Sequence, residues 1–64
     1  MSIVEKMLIL AERKGVTRAE LADMLGIEEY TIDDWRRKLR EPTTADIAKA
    51  ADYFGVTTDY LTEK

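Results

Sequence analysis

The chain has 64 residues, 45% apolar and 36% charged, with no cysteine, no histidine and one proline, which bounds it to one compact domain near the lower size limit for unaided folding. Without cysteine there is no disulfide scaffold or thiolate metal site, and without histidine the commonest general base and the imidazole zinc ligands are gone, so hydrolytic triads and zinc fingers are excluded. Ten Lys plus Arg against 13 Asp plus Glu give a formal charge of -3, which argues against indiscriminate binding to nucleic acid or membrane and leaves specific contacts open.

Apolar runs are too short to span a bilayer, and no basic region followed by an apolar signal core opens the chain, so it reads as cytoplasmic. No internal repeat, low-complexity tract or glycine-serine linker is visible, and the glycines and the proline fall between stretches of helical spacing. Ile3, Val4, Met7, Leu10 and Ala11 recur at steps of three and four opposite Glu5, Glu12 and Arg13, which predicts an amphipathic helix over residues 2–14 that ends at Gly15. Ile9 falls outside its main apolar arc. Thr17 and Glu20 form a Thr-x-x-Glu capping box for a second helix whose inward face is Leu21, Ala22 and Leu25. Gly26 closes that helix in the left-handed conformation, with Ile27 packed beneath the turn.

A third helix is predicted over residues 28–38. Ile32 and Trp35 face inward, Glu28 and Glu29 lie at the N-terminal end, and Arg36, Arg37, Lys38 and Arg40 lie at the C-terminal end, which suits the helix dipole. Pro42 interrupts the pattern. Ile47, Ala48, Ala51 and Phe54 then mark a fourth helix, capped by Thr43 or Thr44 and ended by Gly55. A fifth, very short helix begins at Thr57, with Val56, Tyr60 and Leu61 sealing the core and the last three residues frayed. The predicted architecture is all-α: five helices with a helix-turn-helix among them.

The run Val16-Thr17-Arg18-Ala19-Glu20-Leu21-Ala22-Asp23-Met24-Leu25-Gly26-Ile27, continued by Thr31-Ile32, Trp35, Pro42, Ile47 and Ala51-Asp52-Tyr53-Phe54-Gly55-Val56-Thr57, resembles the phage-repressor and Cro type of helix-turn-helix domain over nearly the whole chain. The resemblance implies a DNA-binding transcriptional regulator that recognises an operator as a symmetric dimer, with each third helix in a major groove. It implies no cofactor, metal or catalysis. Arg18 stands where the family often has a phosphate-contacting glutamine, and the base-facing positions of the recognition helix fall on Glu28, Glu29, Tyr30 and Asp34. Where family members often pair an arginine of the first helix with a glutamate after the recognition helix, this chain has Ala11 and Arg36. Losing one partner alone would strand a buried charge at about 3–5 kcal/mol, whereas losing both as a unit is close to neutral. Lys38 occupies a position often held by glycine in the family, so a locally different loop path is expected.

Charge within the recognition segment is polarised. Glu28, Glu29, Asp33 and Asp34 precede Arg36, Arg37, Lys38 and Arg40, and at 100° per residue Glu29, Tyr30, Asp33, Asp34 and Arg37 share the face opposite Ile32 and Trp35. The basic block reads either as a backbone clamp, helped by helix N-terminal amides near Thr43 and Thr44, or as a solvated helix end. Arg18 reads as a phosphate contact in preference to an ordinary first-turn residue. Trp35 reads as core in preference to a base-stacking platform, and Tyr30 as a base or interface contact or an ordinary surface residue. The acids lack the looped oxygen cage of a calcium site and the shaped pocket of a paired-acid enzyme. They fit a second reading, in which the acidic face binds a basic protein partner, as an interaction or antirepressor module. A scaffold that has lost DNA binding is the third. For self-association, Leu8, Ile9, Tyr60 and Leu61 are the candidate contacts.

Overall fold

The computed structural model describes residues 2–63. Five helices follow in order: α1 (Ile3–Lys14), α2 (Arg18–Leu25), α3 (Glu29–Arg36), α4 (Thr44–Phe54) and α5 (Thr58–Thr62). Helices of 5 to 12 residues are marginal alone in water, so their stability comes from their ends and from packing. The capping box expected at Thr17 forms, with the Glu20 amide donating to the Thr17 hydroxyl at 3.1 Å and the Thr17 amide to Glu20 at 3.0 Å. Two further boxes, Ser2 with Glu5 and Thr43 with Asp46, start α1 and α4 in the same way. Thr43 is therefore the N-cap of α4 and Thr44 its first helical residue. Thr57 caps α5.

The helices also share a way of ending. After α2, Gly26 sits at φ 72°, a left-handed backbone that a Cβ disfavours. Its amide donates to the Asp23 carbonyl, and the next amide, of Ile27, donates to the Ala22 carbonyl, which satisfies two otherwise orphaned acceptors. Gly15 with Val16 closes onto Glu12 and Ala11, and Gly55 with Val56 closes onto Asp52 and Ala51, by the same pair of bonds. Each of these closures follows the phrase Ala-x-x-x-Gly-Val/Ile. The alanine is buried, and the Val or Ile packs against the core. The chain therefore contains a recurring six-residue phrase, although no internal repeat is visible at the scale of a whole unit.

Met7, Leu21, Leu25, Ile32 and Leu61 are the largest fully buried side chains, joined by Trp35 and by four alanines, Ala11, Ala22, Ala50 and Ala51. Small residues at those positions let short helices approach closely enough to share one core. Among the described residues no polar or charged residue is buried. Ala11 lies in that core and Arg36 outside it, so the absence of both halves of the cross-core ion pair leaves no stranded charge.

The structure corrects two expectations about the core. Ala48 is exposed and Ala50 is buried in its place, because the α4 face set by Ile47, Ala51 and Phe54 continues at Ala50, three residues beyond Ile47, and Ala48 is rotated about 100° away. Tyr60 is 43% exposed while its neighbour Leu61 is fully buried, since adjacent residues of one helix point in different directions. Of the candidates for self-association, which the sequence does not join into a continuous patch, Leu61 is core, Leu8 packs against the core and Ile9 is half-buried. No described helix is long and apolar enough to cross a membrane.

Candidate nucleic-acid interface

The α2 to α3 connection sets the orientation of the site. Gly26 reverses the chain, Ile27 is half-buried against the core, and Glu28 stands in extended backbone as the N-cap of α3. Ile32 and Trp35 are 1% and 4% exposed, so Trp35 is a packing residue, and the inner side of α3 is fixed against α1 and α2. That leaves Glu29 and Tyr30 exposed and Asp33 and Asp34 half-buried on the outer side. Arg18, the first residue of α2, is exposed. Nearby, the Thr17 amide and then its hydroxyl hold the Glu20 carboxyl below its ordinary value of 4.5, so Arg18 shares the start of α2 with a carboxylate that is ionised at neutral pH.

α3 is shorter than expected and its ends differ from those of its neighbours. Glu28 makes no side-chain cap hydrogen bond, although its charge suits the dipole. The helix stops at Arg36, and Lys38 takes a φ of 63°. The Lys38 amide donates to the Trp35 carbonyl at 3.1 Å and the Leu39 amide to the Asp34 carbonyl at 2.9 Å. This is the closure seen after α1, α2 and α4, with lysine in the left-handed place. A different backbone path at Lys38 was expected, but the left-handed turn is kept with a lysine in it. Where the other closures bury a Val or Ile, Leu39 is 68% exposed.

That turn divides the basic block. Arg37 and Lys38 lie beyond the helix instead of within it, and Arg40 follows them. Asp33 accepts from Arg37 at 3.1 Å and lies 3.7 Å from Arg36, and Asp34 pairs with Arg40 at 3.2 Å. The Arg40 guanidinium also lies 5.9 Å from the centroid of the Tyr30 ring, within reach of a cation–π attraction. Lys38 has no ion pair among the described residues and borders a groove of about 430 Å³ that Ile3, Val4, Trp35, Arg40 and Ile47 also line. The polarity seen along the sequence is thus largely cancelled by pairing, and Glu28 and Glu29 are left as the acids of α3 with no ion-pair partner among the described residues.

Thr43 and Thr44 are exposed, but the Thr43 amide donates to the Asp46 carboxylate at 3.0 Å and its hydroxyl accepts from the Asp46 amide. The anion slot at the start of α4 therefore already holds a carboxylate, and the first-turn amides of Thr44 and Ala45 are those that lack an intrahelical acceptor. Two features were missed from sequence. The alignment of Asp34-Trp35-Arg36-Arg37-Lys38-Leu39 with the three Ala-x-x-x-Gly-Val/Ile phrases was available as a signal and locates Leu39. The pairing of Arg40 with Asp34 had no such signal, because it depends on the turn between them.

Residues 8–61 match the helix-turn-helix family. The chain belongs to that family. A curated relative of this helix-turn-helix chain is the HTH-type transcriptional regulator ImmR of Bacillus subtilis (strain 168), 30% identical over 64 residues. The match takes in 100% of this chain and 50% of ImmR, so the chain spans half the length of that relative. Among solved structures, the P22 c2 repressor protein in complex with synthetic operator 9T in the presence of Tl+ matches with a TM-score of 0.83 over 98% of this chain and 96% of that one, at 21% identity. The helix-turn-helix fold of the two is the same.

Proposed function

We propose that this chain is a sequence-specific double-stranded DNA-binding transcriptional regulator of repressor-like action, without catalytic activity, working in the cytoplasm as a symmetric dimer. The observation that carries the reading is α3 itself: anchored by Ile32 and Trp35 behind the Gly26 turn, it presents Glu29, Tyr30 and Asp34 outward, as a helix seated in a major groove must. Arg18, Arg36, Arg37, Lys38 and Arg40 are assigned to the phosphate backbone, with the helix start at Thr43 and Thr44 helping through the first-turn amides of Thr44 and Ala45, and Glu28, Glu29, Tyr30 and Asp34 to bases, where a carboxylate accepts from cytosine N4. The named activity of ImmR and the operator bound to P22 c2 repressor support the reading as a DNA-binding regulator. A basic protein partner for the acidic face is the weaker reading, because Asp33 and Asp34 already carry arginines.

Selection of short duplexes from a randomised pool at low salt tests it. Enrichment of one sequence is expected. Arg18→Ala should then weaken all duplexes alike and flatten the salt dependence by about 0.9 in log–log slope, while Glu29→Gln should change the preferred sequence. A pool that yields no enriched sequence overturns the proposal. Light scattering of the complex should give two copies per site, and one copy at saturation would remove the dimer.

A further inference from the structure

The Lys38 turn brings Arg40 back onto the outer face of α3. Between Tyr30 and Asp34, one helical turn apart on that face, it meets a carboxylate at 3.2 Å and an aromatic ring at 5.9 Å. The Asp34 side chain is 25% exposed and the Arg40 side chain 55%, so both remain open to solvent and to a ligand. One guanidinium assigned to phosphate and one carboxylate assigned to a base therefore occupy each other in the free protein.

We infer that Asp34 is a specificity-determining residue that withholds Arg40 from the DNA backbone until a matching base takes its place, a reading that rests on the DNA-binding function proposed above. A cytosine that places its N4 amino donor opposite Asp34 in the major groove gives the carboxylate a new partner. Arg40 then turns to a phosphate. Where guanine acceptors or a thymine methyl face Asp34 instead, freeing Arg40 leaves the carboxylate unpaired beside phosphates, so the pair stays closed and the backbone contact is not made. Base readout and backbone clamping are in this way coupled through one exchange of partners, and wrong sequences are penalised by a repulsive group built into the site.

The test is a double-mutant cycle of Asp34→Asn and Arg40→Gln, read as affinity for a random duplex and for the selected duplex across a salt series. Asp34→Asn should raise affinity for the random duplex about threefold, as expected for release of an exposed ion pair, and steepen the salt slope by about 0.9, the mark of one added phosphate contact. It should lower the ratio of selected to random binding and abolish the preference for cytosine at one position in a repeated pool selection. In the Arg40→Gln background Asp34→Asn should leave the salt slope unchanged. A gain of the same size and slope in both backgrounds means simple removal of negative charge and overturns the inference. So does an unchanged random-duplex affinity in Asp34→Asn. In the free protein the Arg40 Nε proton resonance should move when Asp34 is replaced by Asn, and its failure to move overturns the pairing without reference to DNA. If none of the four proteins binds any duplex, the proposed function fails, whatever the state of the pair.

Discussion

The Leu39 amide closes α3 by donating to the carbonyl of Asp34 at 2.9 Å, the bond that Val16, Ile27 and Val56 make to buried alanines after the other helices. At α3 the residue under the bond is a half-buried aspartate whose side chain is already paired with Arg40, and Leu39 stays in solvent. The apolar stitch that usually accompanies this closure is missing from the helix that carries the proposed recognition residues.

Lys38 follows from the same turn. A lysine in the left-handed region carries a steric cost of about 1–2 kcal/mol, part of which glycine would give back as unfolded-state entropy. Lys38→Gly should therefore stabilise the fold by about 1 kcal/mol, which in a domain of this size raises the midpoint of thermal unfolding by about 4–8 °C. DNA affinity should fall in the same variant if the lysine contacts a phosphate. An unchanged or lowered midpoint would show that the Lys38 side chain, bordering the groove with Trp35, contributes more than the backbone loses.

The other end of α3 invites the opposite change. Glu28 provides charge at the N-cap without a side-chain hydrogen bond. Glu28→Asp keeps the charge on a side chain short enough to accept from the first-turn amides, so stability should rise by about 0.5–1 kcal/mol. Urea unfolding with unchanged slope and a higher midpoint is the expected result, and a lower midpoint would count against an unsatisfied cap.

Acid should loosen α1 and α2 together. The Ser2 hydroxyl and then its amide hold Glu5 below its ordinary value of 4.5, as Thr17 holds Glu20. A depressed folded-state value means that the contribution is full above the unfolded value and is lost as pH falls through the lowered one. Unfolding free energy measured between about pH 6 and about pH 2 should fall mainly below 4.5. Glu5→Gln with Glu20→Gln should flatten that fall while preserving both boxes, since glutamine also accepts from the cap amide. An equally steep fall in the double variant would assign the acid sensitivity to other carboxylates.

Lys6 ties the two ends of the described chain together. From α1 its Nζ donates to the Tyr60 carbonyl at 2.9 Å and to the Glu63 carbonyl, and lies 5.5 Å from the Tyr60 ring centroid. The interaction caps the last turn of a five-residue helix and explains why Tyr60 lies outside the core. Lys6→Met should cost about 1 kcal/mol and raise amide exchange through α5 about fivefold, with little change in α2 and α3. Uniform acceleration across the chain would mean that α5 does not open separately from the rest.

Most of the fold was legible because its signals are local. A threonine three residues before a glutamate, a glycine after an apolar run and a step of three between Ile32 and Trp35 each act within one helical turn, where spacing alone decides which groups meet. Ser2 with Glu5 and the Ala-x-x-x-Gly-Val/Ile phrases carry the same kind of signal. The choice of Ala50 over Ala48, the outward place of Tyr60, the exposure of Leu39 and the pairing of Asp34 with Arg40 came only from the tertiary structure. Each depends on which side of a helix meets its neighbours, or on a left-handed turn at a residue with no intrinsic preference for one. The four acids and four bases of residues 28–40 determined that the recognition segment would be polar and balanced. Asp33 meets Arg36 and Arg37 at steps of three and four along the chain, whereas the pairing of Asp34 was decided by the Lys38 turn, because charges pair according to distance in space and the turn brings Arg40 back beside it, leaving Glu28 and Glu29 without ion-pair partners among the described residues.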